Sequence, residues 1–168
     1  LMRILTEQPA AKASVEVATL GSGMKTVYGV LCSQFPALAA IRAAHERGDK
    51  SALVDVYMCG GGFRGYGSML MHSDSISPYP IPSVNAYSTD GAHFKQTARM
   101  EQLNNTYDGK IFGMSKRRRQ QFPAILHVIE AFVQAVPNIR TVTFCGGSNR
   151  QGVLMMMMPR EVRESNPL

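Results

Sequence analysis

The sequence predicts an α/β domain of parallel strands with helices on both faces, and three observations predict it. Two short runs rich in β-forming residues, 53–59 and 140–145, both end in Cys-Gly-Gly. Such runs read as buried strands. Between them, residues 123–136 carry Ile125, Val128, Ile129, Phe132 and Val133 at helical spacing;. Each Cys-Gly-Gly turn is followed by a segment able to open a helix. Strand, helix and strand in that order call for parallel pairing through a crossover.

Taken along the chain, residues 1–35 read as a poorly structured N-terminal segment, because Pro9, Gly21, Gly23 and Gly29 break its apolar stretches;. The stretch GSGMKT at 21–26 is not a phosphate loop, since Met24 stands where that motif needs glycine before the lysine;. A domain is expected over 36–168. Its first helix starts at Pro36, which suits a first turn, and stops near Gly48;. The strand at 53–59 follows, then a helix over 64–71. Residues 73–89, with Pro78, Pro80 and Pro82, read as an extended loop;. A helix capped by Thr89 or Asp90 should turn Phe94, Ala98 and Leu103 inward;. Ser115 is a cap for a further helix. After the 140–145 strand, a last helix over 150–157 should pack Met155 to Met158 into the core.

The chain has 168 residues, 45% of them hydrophobic, enough for one domain with a core;. A net charge of +6 favours phosphate-bearing partners;. Cys32, Cys59 and Cys145 lack metal-ligand spacing and do not form an even disulfide set;. Cys59 and Cys145 read as small buried residues. That cysteine usage makes a reducing, cytoplasmic setting the expectation, and no membrane is expected because no apolar run reaches the length of a membrane span. His45, His72, His93 and His127 are scattered, which disfavours a metal site;.

The two turns, CGGGFRG at 59–65 and CGGSNRQG at 145–152, echo each other. Glycine lets the chain turn sharply and lets a ligand approach the backbone. The helix behind it presents unpaired N–H groups and a positive dipole end to an anion. Gly60, Gly61, Gly62 and Arg64, with Gly146, Gly147, Ser148, Asn149 and Arg150, are therefore candidate phosphate- or nucleotide-binding residues;. Gly60, Gly62 and Gly65 also match G-x-G-x-x-G. The acidic residue such a dinucleotide site needs is replaced by the proline loop;. The basic run 116–119 stands at a helix start, where the dipole disfavours it;. Ser115, Arg117, Arg118 and Arg119 are thus candidate anion contacts, with a solvated face or a basic protein- or nucleic-acid-interaction patch as the alternatives.

In these residues the chain resembles the exopolyphosphatase and guanosine pentaphosphate phosphatase family, and within it the fungal retrograde-regulation group. The likeness rests on LVDVYMCGGGFRGYG at 53–67, PYPIP at 78–82, IFGMSKRRRQQFP at 111–123, CGGSNRQG at 145–152 and the tail at 159–168. It implies a ribonuclease H-like half of an actin-like ATPase fold, corresponding to the second half of the phosphatase domain. It further implies a phosphate- or polyphosphate-binding role in metabolic signalling, with a signalling protein or an N-terminal half as partner. Nucleic acid is not an expected ligand. Ser148 and Gln151 depart from the family, which usually shows Gly and Glu there. The family's catalytic glutamate and first phosphate loop have no counterpart in residues 1–35, so no catalytic residue is assigned. An active phosphohydrolase fragment is the alternative, and Mg²⁺ is expected only with a nucleotide or polyphosphate in the complete protein.

Overall fold

In a computed structural model, the residues described are 10–76, 86–147, 153–154 and 156–165. The elements in order are α1 (Ala10–Gln34), α2 (Pro36–Glu46), β1 (Val54–Cys59), α3 (Gly61–Ser73), β2 (Ser88–Asp90), α4 (Gly91–Phe94), α5 (Thr97–Thr106), α6 (Lys116–Gln120), α7 (Phe122–Ala135), β3 (Ile139–Cys145) and α8 (Arg160–Glu164). No helix among the described residues is long and apolar enough to cross a membrane.

The α/β class is as expected, but the sheet is mixed. β1 and β3 pair in parallel, and β2 joins the far edge of β3 antiparallel, giving the order β1-β3-β2. The short β2 falls where an extended loop was expected. Its three residues, Ser-Thr-Asp, lack an apolar alternation; pairing with Thr141 to Thr143 forms the strand;. The register shifts after Val54, leaving Arg140 without a Cα partner between Ile139 and Thr141;. Its guanidinium instead clasps the Asp55 carboxylate, with Nε donating at 2.8 Å.

Alternation along the strands sorts residues by face. Met58, Val142 and Phe144 are buried under the helices, while Asp55 and Cys59 are exposed and Tyr57 is 72% exposed. Among the described residues, helices therefore cover one face of the sheet. The expectation of helices on both faces is not met there. Cys59, expected to be buried, is exposed, and Cys145 is half-buried opposite it. Burial and the neighbouring Cys59 thiol push the Cys145 thiol up;.

The core gathers on the covered face. Tyr66 of α3 stacks on Phe122 and meets Phe94 edge-on, and its hydroxyl donates to the Phe94 carbonyl at 2.7 Å. Burial pushes this phenol well above its ordinary range, so the group stays a donor;. The helix expected after Asp90 is two helices, interrupted at Lys95 and Gln96. Asp90 does cap the first, accepting from the His93 N–H at 2.8 Å. Phe94 is buried and Leu103 half-buried as expected, but Ala98 is exposed and Met100 takes the inner place. α7 buries Ile125 and Ile129 and packs Phe132 and Val133 against the core as expected, while Val128 is half-buried.

The region before Pro36 departs most from expectation. Ala10–Gln34 is a helix, despite Gly21, Gly23 and Gly29, and residues 1–9 lie outside the described part. Glycine lowers intrinsic helicity, but packing on α7 overrides propensity, and Tyr28 and Cys32 are buried;. At the other end, Met156, Met157 and Met158 are exposed, so the expected core packing does not hold for them.

Candidate functional site: the glycine turn after β1

β1 ends at Cys59, and the chain reverses at Gly60 with φ of 112°, a left-handed conformation that favours glycine;. α3 begins at Gly61, capped by no side chain. Among the described residues, the first N–H to find an acceptor in the turn is that of Arg64, which donates to the Gly60 carbonyl at 3.0 Å. The opening N–H groups of this thirteen-residue helix are thus available to a ligand, at the positive end of its dipole;.

The fold brings the other candidate segments to this turn. In-register pairing of Cys59 with Cys145 places the starts of the two glycine turns side by side. Arg64 Nη1 donates to the Gly147 carbonyl at 3.3 Å and ties them together. Gly146 and Gly147 lie in the described part; Ser148, Asn149 and Arg150 lie outside it. From the third segment, Arg118 lines a cavity of about 220 Å³ with Gly61, Gly62, Gly65, Met114 and Phe122. Its Nη2 lies 3.9 Å from where a Cβ on Gly61 would stand.

The four candidate residues of the Ser115–Arg119 segment play different parts. Ser115 caps α6, its hydroxyl accepting from the Arg118 N–H at 3.3 Å. Arg118 Nη1 donates to the Gly113 carbonyl at 2.7 Å, which holds the guanidinium beside the turn. Arg117 is exposed on α6. Arg119 turns the other way. Its guanidinium serves the carbonyls of Asn104, Tyr107 and Gly109, closing the loop after α5. These carbonyl contacts answer the dipole objection to a basic run at a helix start. Arg119 is thus a loop clamp rather than part of the cluster around Gly61.

Sequence reading missed Met114, Gln121, Phe122 and Ile125 and noted Gly65 only for the rejected dinucleotide pattern; all of them line the cavity. Gly113, whose carbonyl orients Arg118, offers no chemical signal of its own. No carboxylate lines this cavity, and among the described residues no three His, Cys, Asp or Glu side chains come together to hold a metal. The donors present suit an anion, and they do not include the one or two carboxylates through which a protein usually holds Mg²⁺.

Comparison with known proteins finds similarity to Retrograde regulation protein 2 of Saccharomyces cerevisiae, 33% identical over 120 residues. The chain is related to that protein. The match takes in 68% of this chain but 20% of the relative, so the chain spans about a fifth of the length of the curated protein it matches. No family model matches the chain. No solved structure matches it either.

Proposed function

We propose that this chain forms one anion-binding wall of a phosphatase-like protein acting in retrograde signalling, with a phosphate-bearing small molecule or polyphosphate as ligand. The signalling role follows the name of Retrograde regulation protein 2, to which the chain is related. The observation that carries the binding reading is the position of Arg118 beside the uncapped N-terminus of α3 at Gly61. A guanidinium and unpaired backbone N–H groups converging on one point are the donors a phosphoryl oxygen needs. The reading fits a ribonuclease H-like half of an actin-like ATPase fold, in which such a turn faces the ligand. Hydrolysis would require a base and an oriented water. No carboxylate or histidine lines the cavity at the turn to serve as that base, so the part proposed for this chain is binding and orientation. Mg²⁺ would enter on the phosphate oxygens rather than on this chain's carboxylates.

Gly61→Asp tests this directly. The space at Gly61 admits a Cβ, and a carboxylate in the first turn satisfies the helix N-terminus and Arg118 from within;. The variant should be at least as stable as the native chain and yet lose tripolyphosphate binding in calorimetry. A native chain that binds neither tripolyphosphate nor guanosine nucleotides, or a variant that binds them undiminished, overturns the reading.

A further inference from the structure

Away from the glycine turns, α1, α2 and the end of α7 enclose two joined spaces of opposite character. One is a groove of about 650 Å³ lined by Leu20, Met24, Val27, Leu31, Phe132 and Val136, among others. Its volume lies in the range of small-molecule sites. The other is a polar pocket of about 210 Å³ lined by Lys25, Arg42, His45, Glu46, Gln134 and Asn138. Tyr28 and Ala135 line both, so the two spaces meet at Tyr28.

Tyr28 is only 8% exposed, and its hydroxyl has no hydrogen-bond partner. The Cys32 thiol stands near without reaching hydrogen-bond geometry, and burial pushes the phenol up, so the hydroxyl keeps its proton;. His45 Nδ1, lining the same pocket, is also buried without a partner. Buried polar atoms left unpaired are costly, and a ligand that pairs them removes that cost. Arg42 lies over the Tyr28 ring at 5.5 Å and is held by Glu46 through its Nε at 2.8 Å. None of the ion pairs among the described residues involves Lys25. The pocket thus offers cationic and neutral donors, with one carboxylate already engaged.

We propose that this junction binds a long-chain carboxylate, its head in the polar pocket and its acyl chain along the groove. The head accepts from Lys25, Arg42 and the Tyr28 hydroxyl. From Tyr28 back to Thr19 the groove follows α1 for nine residues, about 14 Å at helical rise, which suits an extended chain rather than a compact ring;. A short carboxylate leaves the groove empty, and a neutral chain leaves Lys25 and the hydroxyl unpaired.

The test is a fluorescence titration of the 168-residue chain with cis-parinarate, followed by competition with dodecanoate, methyl dodecanoate and acetate at monomeric concentrations. The expected result is one saturable site from which dodecanoate displaces the probe. Methyl dodecanoate should compete about tenfold less well or worse, and acetate not at all. Lys25→Gln with Arg42→Gln should weaken probe binding about tenfold or more, and Tyr28→Phe several-fold. Val27→Asp, at a position 60% exposed on the groove, should abolish it with the helical circular dichroism unchanged. Absence of saturable binding overturns the proposal, as does equal competition by the ester. So does a groove shown by sedimentation to be filled by a second copy, with Val27→Asp turning a dimer into a monomer.

Discussion

Arg64 and Gly147, 83 positions apart in the sequence, are joined by a guanidinium-to-carbonyl hydrogen bond of 3.3 Å. The contact makes the two glycine turns one structural unit, because movement of the second turn must break a bond anchored in the first turn of α3. Arg64 belongs to that turn and, among the described residues, donates one of its N–H groups, to Gly147. The rest of its fork remains for an anion.

Replacing Arg64 should therefore act on the ligand and on the second turn together. Arg64→Ala is expected to weaken tripolyphosphate binding at least tenfold, since hydrogen bonds to a charged group contribute about 1.5–3 kcal/mol. It should also speed amide hydrogen exchange around Gly146 and Gly147. Arg64→Lys keeps the charge but not the planar fork, and should recover less than half of the lost binding free energy. Calorimetry and exchange mass spectrometry read the two effects separately.

A second prediction concerns Gly67, in the middle of α3. A Cβ there would lie 3.0 Å from the ring of Phe144, a core side chain with no exposure. The helix can approach β3 this closely because residue 67 has no side chain. Gly67→Ala gains helix propensity but overpacks the core, and the second effect should win, with a net loss of about 1–3 kcal/mol. Phe144→Leu in the same chain should recover part of it. Urea denaturation of the single and double variants checks both, and additivity of the two changes would refute the contact.

Stability at acid pH should depend on Asp55. The Arg140 guanidinium, and then the Thr141 hydroxyl, hold its carboxyl well below the ordinary carboxylate range. A group whose pKa is lower folded than unfolded stabilises the fold above its unfolded value, about 3.9, and loses that contribution as pH falls below it. The pair is exposed, so the effect is small and salt-sensitive. Asp55→Asn should lower the urea midpoint at pH 7, and the gap to the native chain should narrow below about pH 4. A gap independent of pH would remove the ion pair as its cause.

How far the fold was legible follows from where its signals lie. β1, β3 and α7 announce themselves because their burial is recorded in the order of apolar residues, with Val142 and Phe144 alternating and Ile125 and Ile129 four apart. β2 carries no such record, since Ser88 to Asp90 becomes a strand only against the finished β3 edge. α1 was hidden by its glycines, and Tyr28 and Cys32 bury themselves only once α7 is in place. At the candidate site, Gly60 was readable because a turn needs glycine, and Ser115 because helices need caps. The difference between Arg118 and Arg119 was not. Adjacent residues of one type leave a short helix in different directions, and only the loop after α5 shows which carbonyls await the second.

That difference provides the last prediction. Arg119 ties together the carbonyls of Asn104, Tyr107 and Gly109, and its contact with Asn104 is part-buried. Arg119→Ala should cost about 1–3 kcal/mol of stability while leaving tripolyphosphate affinity nearly unchanged in the fraction that remains folded. Arg118→Ala should do the reverse. Its single carbonyl contact is exposed, so stability should fall by less than about 1 kcal/mol, whereas the guanidinium lost beside Gly61 should weaken binding about tenfold or more;. Thermal denaturation and calorimetry on the same two proteins separate the roles. If both substitutions weaken binding equally without affecting stability, the basic run acts as one diffuse patch, and the division of labour drawn from the geometry is wrong.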